Sequence, residues 1–417
     1  MKSQAAWDWE IGERAVGNVT PLETHTWQEE VHASPDGSSF AAVVRDADDA
    51  FTLRVGDAVW ENTFEKAWLP KYGPDGRLSA IVQQDGEWTV ASDGVPWDTT
   101  YGFVWGLCFA ADGSAFASVQ QDGQYGMSRE GVAWDVLFEN ANHFAVAPDG
   151  SKSAACVQVG SLGQADIDGF LKGVFSVAVE GTPWPTTFVN AWTPVFAPHG
   201  RRVAAQVRTS PYDYTIAVDG TPWDVTFPCV WEPVFDPASG SVAAPVRKDG
   251  RWGIALDANL VWPARYFQCW SPAYSPDGSH LWAIVAPEYG AFTVACNDVT
   301  WRTRHKVVTS LVLSPDGQRA AALGCDDNSR FHVLANGSVW EGEWDMAWAP
   351  LFSPDGTHVA ARVNKGGRDA FVVDGKVLRG DYDRAWDPVF GPDSDRVLLR
   401  GVRNGVLQRQ VVALGRG

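Results

Sequence analysis

The sequence is poor in cysteine, and none of its six cysteines forms a Cys-x-x-Cys pair. This spacing excludes an iron–sulfur or zinc site of the usual close-spaced kind and a Cys-x-x-Cys-His haem site. We interpret the cysteines as isolated apolar thiols in a reduced compartment and predict no cofactor. They are Cys108, Cys156, Cys229, Cys269, Cys296 and Cys325.

Long apolar runs and an excess of basic residues are also missing. No stretch approaches the roughly 20 apolar residues of a membrane span, and the first ten residues contain no apolar leader segment. The chain has 33 basic and 51 acidic residues, a formal charge of −18. This balance argues against nucleic acid and against an anionic lipid surface as the main partner. We therefore expect a cytoplasmic protein without direct membrane insertion.

Motifs of common enzymes are absent as well. The eight histidines form no His-x-x-x-His pair, and the sequence has no Gly-x-Ser-x-Gly elbow, P-loop or dinucleotide fingerprint. The acidic clusters at Asp46, Asp48 and Asp49 and at Asp166 and Asp168 are interpreted as solvated loops and not as calcium sites. We predict no catalytic and no metal site, although residues distant in sequence could still converge in the fold.

A turn motif recurs along the whole chain. Ser34-Pro35-Asp36-Gly37 is its first copy, and related tetrapeptides follow at a period of about 39 residues, giving ten modules. One interval is 50 residues, which places an insertion at about 160–173 in the fourth module. Proline presets the backbone at the first turn position and glycine permits a positive φ later.

Each module contains four short apolar runs separated by turns. In the fifth module, residues 193–196 enter the turn motif, residues 203–207 and 214–218 follow as strands, and Asp219-Gly220 marks a hairpin. Four strands in about 40 residues is the size of a propeller blade. We predict an all-β fold, a single β-propeller domain over 1–417 with about ten four-stranded blades, with an open solenoid as the alternative.

The C-terminal module lacks a fourth strand. After Ser394, only two strand-like runs, 397–399 and 410–414, are left in the chain. The segment Trp9 to Leu22 precedes the first complete module and is long enough to supply one strand. We predict that it completes the last blade, since this removes exposed sheet edges.

Two columns of tryptophan repeat with the modules, the second eight residues after the first. The first column is interpreted as wedges between blades. The second column precedes the strand that enters the turn motif and is interpreted either as packing or as an aromatic partner-binding surface. The first column comprises Trp60, Trp97, Trp134, Trp184, Trp223, Trp262, Trp301 and Trp340. The second comprises Trp68, Trp105, Trp192, Trp231, Trp270, Trp348 and Trp386, with Asn142 and Thr309 breaking the series.

These motifs resemble known families. The repeated Ser-Pro-Asp-Gly before an apolar strand resembles TolB-like and WD-repeat propellers. Asp-Gly followed by Pro-Trp, as in Asp93–Trp97 and Asp219–Trp223, resembles the tryptophan-rich, cofactor-free subunit family of the transmembrane electron-transfer (Tmc) complex of sulfate-reducing bacteria. This resemblance extends over essentially the full length. It implies a cytoplasmic accessory subunit beside cytochrome, membrane and iron–sulfur subunits.

We therefore expect a non-catalytic, cofactor-free scaffold subunit of a membrane-bound redox complex. It would be peripheral to the inner membrane and would act through contacts with the protein subunits of that complex. The alternatives are a propeller enzyme or small-ligand binder that uses a central channel, and a peptide-binding propeller with no redox connection.

Overall fold

The computed structural model describes residues 4–327 and 329–415, and its architecture is almost entirely β. In the described part of the chain, forty-two strands form ten antiparallel sheets, each with the strand order of a propeller blade. The predicted fold class, a β-propeller of ten four-stranded blades, is confirmed. Among the described residues, no helix is long and apolar enough to cross a lipid bilayer.

The strands follow one another blade by blade, and β1 (Gly12–Asn18) precedes blade 1. Blades 1 to 3 consist of β2 (Trp27–Ala33), β3 (Phe40–Arg45), β4 (Phe51–Val55) and β5 (Ala58–Val59); β6 (Lys66–Tyr72), β7 (Leu78–Gln84), β8 (Glu87–Ser92) and β9 (Val95–Pro96); and β10 (Phe103–Phe109), β11 (Ala115–Gln121), β12 (Gln124–Arg129) and β13 (Val132–Ala133). Blades 4 and 5 consist of β14 (Ala141–Val146), β15 (Ser153–Gln158), β16 (Phe175–Val179) and β17 (Thr182–Pro183); and β18 (Asn190–Phe196), β19 (Val203–Ser210), β20 (Asp213–Val218) and β21 (Thr221–Pro222). Blades 6 and 7 consist of β22 (Cys229–Val230), β23 (Val234–Phe235), β24 (Val242–Lys248), β25 (Arg251–Leu256) and β26 (Asn259–Tyr266); and β27 (Gln268–Tyr274), β28 (Leu281–Glu288), β29 (Ala291–Cys296) and β30 (Val299–Thr300). Blades 8 to 10 consist of β31 (Val307–Leu313), β32 (Ala320–Cys325), β33 (Phe331–Ala335) and β34 (Ser338–Val339); β35 (Met346–Ala347), β36 (Leu351–Phe352), β37 (Val359–Lys365), β38 (Arg368–Val373) and β39 (Lys376–Tyr382); and β40 (Arg384–Phe390), β41 (Arg396–Arg403) and β42 (Val406–Ala413).

The first strand of blades 6 and 9 is interrupted, so that two short pieces pair with one second strand. Within residues 4–327 and 329–415, helix is confined to a 3-10 turn, Gln4–Ala6, and to α1 (Ile167–Lys172), which lies inside the predicted insertion. The sequence pattern contains no helical period, so α1 was not expected.

By contacts, the chain divides into two compact units. Unit 1 runs up to Trp97, includes Gly290–Val294 and resumes at Trp301, and unit 2 comprises Asp98–Tyr289 and Ala295–Thr300.

The N-terminal strand completes blade 10 as predicted. Strand β1 pairs antiparallel with β42, with Gly12 opposite Val411 and Asn18 opposite Val406. Three buried arginines bind backbone carbonyls here: Arg400 contacts Ser34 and Pro35 of blade 1, and Arg409 contacts Asp36 and Asp8. Arg54 donates to the carbonyls of Asn18 and Thr20, directly after β1. Guanidinium groups suit this role because each can satisfy several acceptors at once.

The Ser-Pro-Asp-Gly turn is held by its own side chains. In blade 7, Ser275 donates its hydroxyl to Asp277 at 2.5 Å and accepts the backbone N–H of His280 at 2.9 Å. Asp277 also accepts the backbone N–H and the hydroxyl of Ser279. These hydrogen bonds, first of all those from the Ser275 and Ser279 hydroxyls, lower the pKa of Asp277 to about 2. The same Ser-to-Asp bond occurs in blades 1, 8 and 9.

The Asp-Gly hairpins place the first tryptophan column between blades. In blade 2, Asp93 has a φ of 48° and accepts the backbone N–H of Leu78, and Gly94 follows with a φ of 84°. Gly94 lies so close to Trp60 of blade 1 that an added Cβ would be 3.2 Å from the indole ring. Trp134, Trp184, Trp301 and Trp340 contact the corresponding glycine of the following blade in the same way. These five tryptophans therefore lie against the following blade, at the position that the wedge interpretation predicts.

Candidate protein-docking surface

The second tryptophan column lies on the first strand of its blades. We expected it just before this strand, but Trp68, Trp105, Trp192, Trp270 and Trp386 lie inside β6, β10, β18, β27 and β40, because these strands begin earlier than the apolar pattern shows. Trp231 and Trp348 lie in the gaps between the two pieces of the first strand in blades 6 and 9. All seven are half-buried except Trp231, whose exposed fraction is 38%.

A β-bulge follows the tryptophan in each uninterrupted first strand. In blade 5, Trp192 pairs with Gln206 while Val195 pairs with Ala204, so one extra residue is accommodated between them. Thr193, directly after the tryptophan, has a φ of 48°. Pro194 follows, and proline is tolerated because the first strand is an edge strand of its sheet. Since bulges twist a strand and redirect its side chains, this local geometry sets the direction of the indole.

In unit 2, three indoles of the second column contact aromatic rings of their own blade. Trp231 stacks on Trp252 with ring centroids 5.5 Å apart and an interplanar angle of 4°. Trp192 stacks on Tyr214 at 6.1 Å. Trp105 contacts Tyr125 edge-on at 6.1 Å. One side of each of these indoles is therefore already packed.

In unit 1, arginine side chains pack against two indoles of the second column. The guanidinium of Arg362 lies 3.6 Å from the ring centroid of Trp348, and that of Arg384 lies 5.4 Å from Trp386. Trp68 instead packs on Trp88 at 4.2 Å. Cation–π contacts of this kind stabilise by about 0.5–2 kcal/mol. The indoles of Trp348 and Trp386 thus lie beside positive charge, in a chain that is acidic as a whole.

The first strands of blades 1, 2 and 10, all in unit 1, contain charged side chains. Burial raises the pKa of Glu30, whose carboxylate accepts the backbone N–H of Leu69 at 2.8 Å in the bulge of the next blade. Burial, together with the charges of Arg384 and Lys71, lowers the pKa of His32. In unit 2, Glu232 accepts the N–H of Ser271 at 3.0 Å in the same manner as Glu30. These carboxylates therefore hold the bulges of neighbouring blades.

Charge is scarce along the other first strands. Those of blades 3, 4, 5, 7, 8 and 9 contain no Asp, Glu, Lys or Arg. Phe103, Val307, Met346 and Leu351 on these strands are nevertheless exposed, with fractions of 41%, 44%, 45% and 36%. Asn142 and Thr309, which break the tryptophan column, are exposed as well. Depletion of charge together with exposed aromatic and apolar side chains is typical of the core of a protein interface.

A third aromatic column was missed in the sequence. It lies four residues before the second column, and most of its members pair with the third strand of the preceding blade, as Phe64 does with Phe51 and Phe138 with Tyr125. Its offset is constant, but the residue type changes, which hides the series from a search for one amino acid. The members are Phe64, Tyr101, Phe138, Phe188, Phe227, Tyr266, His305, Trp344 and Tyr382.

All six cysteines lie within the described residues, and none of them forms a disulfide bond. Burial raises the pKa of Cys156 and of Cys269, and it raises that of Cys296 to about 11. Within the described part of the chain, His, Cys, Asp and Glu side chains form no group of three or more that could hold a metal ion. Asp166, in one of the acidic clusters, caps α1 by accepting the N–H of Gly169 at 2.8 Å.

Comparison with known proteins shows similarity only to solved structures. No family model and no curated protein matches the sequence. One similar structure, described as the crystal structure of the eukaryotic initiation factor, has 10% sequence identity and a TM-score of 0.48, and the match covers 78% of this chain and 89% of the other. A second is the β-propeller domain of the trilobed protease from Pyrococcus furiosus, described as having an open velcro topology, with 12% identity, a TM-score of 0.29 and coverage of 65% and 95%.

Proposed function

We propose that this protein is a non-catalytic scaffold that binds partner proteins through the first strands of its blades. The more specific proposal is an accessory subunit of a membrane-bound electron-transfer complex, located on its cytoplasmic side and attached to the membrane through partner subunits. This second part rests on the resemblance of the tryptophan repeats to the Tmc subunit family.

One observation carries the docking role. Six first strands contain no charged side chain and yet expose apolar side chains such as Phe103 and Val307, in a chain where charged residues make up 20%. A surface that meets only water has no reason to avoid charge, whereas a surface buried against a protein does. Tryptophan is also the residue most enriched among those that dominate binding energy.

The state of the thiols supports a non-redox role within such an assembly. A thiol must lose its proton to act as a nucleophile or metal ligand, and burial raises the pKa of Cys156, Cys269 and Cys296. Electron transfer would then be carried by partner subunits.

Purification of the tagged full-length chain from membranes of its native host tests both parts. We expect a multihaem cytochrome and an integral membrane subunit to co-purify, while the isolated chain shows no visible absorption band. An operon containing these partners would agree with this result. A haem or cluster spectrum from the isolated chain would refute the scaffold role, and partners without redox groups would refute the redox connection.

Paired variants locate the docking surface within unit 2. Trp231→Ser and Phe103→Ser remove exposed apolar area from two first strands, and we expect each to reduce partner recovery by about tenfold. Val132→Ser is the matched control, because Val132 is 74% exposed but lies on the outer strand β13. Equal recovery with all three variants would show that the first strands do not bind the partner.

A further inference from the structure

A groove lies between blades 3 and 4, inside unit 2. Two features that depart from the repeat line it: an apolar loop and the insertion. The groove has a volume of about 480 Å³ and is lined by the loop from blade 3 to blade 4, by the start of the insertion and by the hairpin of blade 4. Insertions in repeat proteins commonly map to the binding face. Its lining residues include Val136, Leu137, Glu139, Val159, Gly160 and Pro183.

The loop wall of this groove is more apolar than its counterparts. Val136 and Leu137 occupy positions filled by Asn62-Thr63, Thr99-Thr100 and Thr186-Thr187 in blades 1, 2 and 4 and by Val225-Thr226 in blade 5, so that among these five loops only this one is apolar at both positions. Leu137 packs over Gly126, where an added Cβ would be 2.4 Å from a methyl group of the leucine. Val136 is left 52% exposed, and Val159, across the groove, is 38% exposed.

The insertion is an ordered element that nevertheless exposes apolar side chains. Its two ends are joined by a hydrogen bond from the Val159 N–H to the Val174 carbonyl at 2.8 Å. Helix α1 is capped at its C-terminus by Gly173, which has a positive φ of 90° and donates its N–H to the Phe170 carbonyl. Ile167 and Leu171 are one helical turn apart and are 66% and 42% exposed. Neighbouring apolar side chains that a hydrogen-bonded segment leaves exposed are candidates for contact with another molecule.

The charge around this apolar surface is negative. Glu139 lines the groove, and Asp135 and Asp168 are exposed beside the groove and in the insertion. None of the ion pairs between described residues involves these three carboxylates. Lys172 is the one cation between residues 159 and 174. A basic partner complements this field, whereas a second copy of this acidic chain or an anionic membrane is repelled.

We propose that the groove and α1 bind a segment of a partner protein that carries apolar side chains next to lysine or arginine. The apolar side chains would fill the space between Val136 and Val159 and cover Ile167 and Leu171. The cations would lie against Glu139 and Asp168. This site is separate from the first-strand surface of the proposed function, and it does not depend on any redox partner.

Phage display of short random peptides on the full-length wild-type chain tests this proposal. Counter-selection uses the triple variant Val136→Asn, Ile167→Gln, Leu171→Gln, whose fold is checked by circular dichroism and by its melting temperature. We expect enriched peptides that combine apolar residues with lysine or arginine. Enrichment of acidic peptides, or no difference between the wild type and the triple variant, would overturn the proposal.

Binding of the most enriched peptide, measured by fluorescence anisotropy, separates the contributions. We expect a loss of about tenfold or more in affinity for the triple variant, and for Glu139→Gln with Asp168→Asn a weaker dependence of affinity on salt. Val225→Asn is the control, because Val225 is 43% exposed at the equivalent loop of blade 5. Equal losses in Val225→Asn, or a dimer in sedimentation that the triple variant abolishes, would refute the assigned occupant.

Discussion

Two glycines of blade 2 allow the wedge role of the first tryptophan column to be measured. Gly86 and Gly94 follow Asp85 and Asp93 at the two ends of β8, and their φ values are 79° and 84°. An added Cβ at Gly86 meets nothing within 4 Å, whereas at Gly94 it would lie 3.2 Å from the ring of Trp60. The two positions thus share a backbone conformation and differ in the presence of the indole.

We expect Gly86→Ala to destabilise the protein by about 1–2 kcal/mol, because alanine is strained in the left-handed region. Gly94→Ala carries the same strain and also forces the Trp60 ring to move, which adds about 1–3 kcal/mol. For 417 residues unfolding together, each kcal/mol corresponds to about 1 °C in melting temperature. Thermal unfolding followed by circular dichroism, with hydrogen exchange to detect local opening of blades 1 and 2, measures both variants.

The same pair of substitutions in a Trp60→Ala background completes the experiment. We expect the extra cost of Gly94→Ala to disappear there, while the cost of Gly86→Ala is unchanged, which gives a coupling of about 1–3 kcal/mol between Gly94 and Trp60. Equal destabilisation by the two glycine variants in the wild type would show that the indole does not constrain the hairpin. A coupling near zero would refute the wedge interpretation in the same way.

Three further predictions concern the closure, the turns and the thiols. Arg400→Met leaves the carbonyls of Ser34, Pro35 and Asp387 without their donor, so we expect a loss of about 3 kcal/mol or more in chemical unfolding that Arg400→Lys does not restore. The folded pKa of Asp277 lies below the ordinary aspartate value of 3.8, so its contribution to stability is present above that value and is lost as the pH falls towards about 2. Ser275→Ala should raise this pKa in a carboxyl NMR titration, and an unchanged pKa would contradict the turn geometry. Alkylation at pH 8 should leave Cys156 and Cys269 unmodified in the folded chain and modify them after unfolding, as mass spectrometry can check, because burial raises both pKa values.

The sequence predicts the fold well because the backbone conformation of each turn is set by the residues of the turn itself. Proline and glycine in the turn motif and Asp-Gly in the hairpins fix the backbone whatever surrounds them, so their period reveals ten blades. The N-terminal strand could be placed between Trp9 and Leu22 by counting the strands of the last module, and it lies at Gly12–Asn18.

Features that depend on contacts between distant residues could not be predicted. The arginines that bind the N-terminal segment, such as Arg400 and Arg409, have no local pattern, since their acceptors are backbone carbonyls hundreds of residues away. The bulge after Trp192 is equally hidden, because Thr193 is an ordinary residue in a left-handed conformation. The groove at Val136 emerges only when blades 3 and 4 are brought together.

Closure of blade 10 by the N-terminal strand has a consequence for synthesis of the chain. Strand β1 leaves the ribosome about 390 residues before β42, which at about 5–20 residues per second is a delay of roughly 20–80 s. A long apolar strand left unpaired for that time would be prone to aggregation. The sequence Gly12-Glu13-Arg14-Ala15-Val16-Gly17-Asn18 contains two charges and two glycines and has little apolar surface to offer. The composition of this strand therefore suits a segment that must remain soluble until its partner has been made.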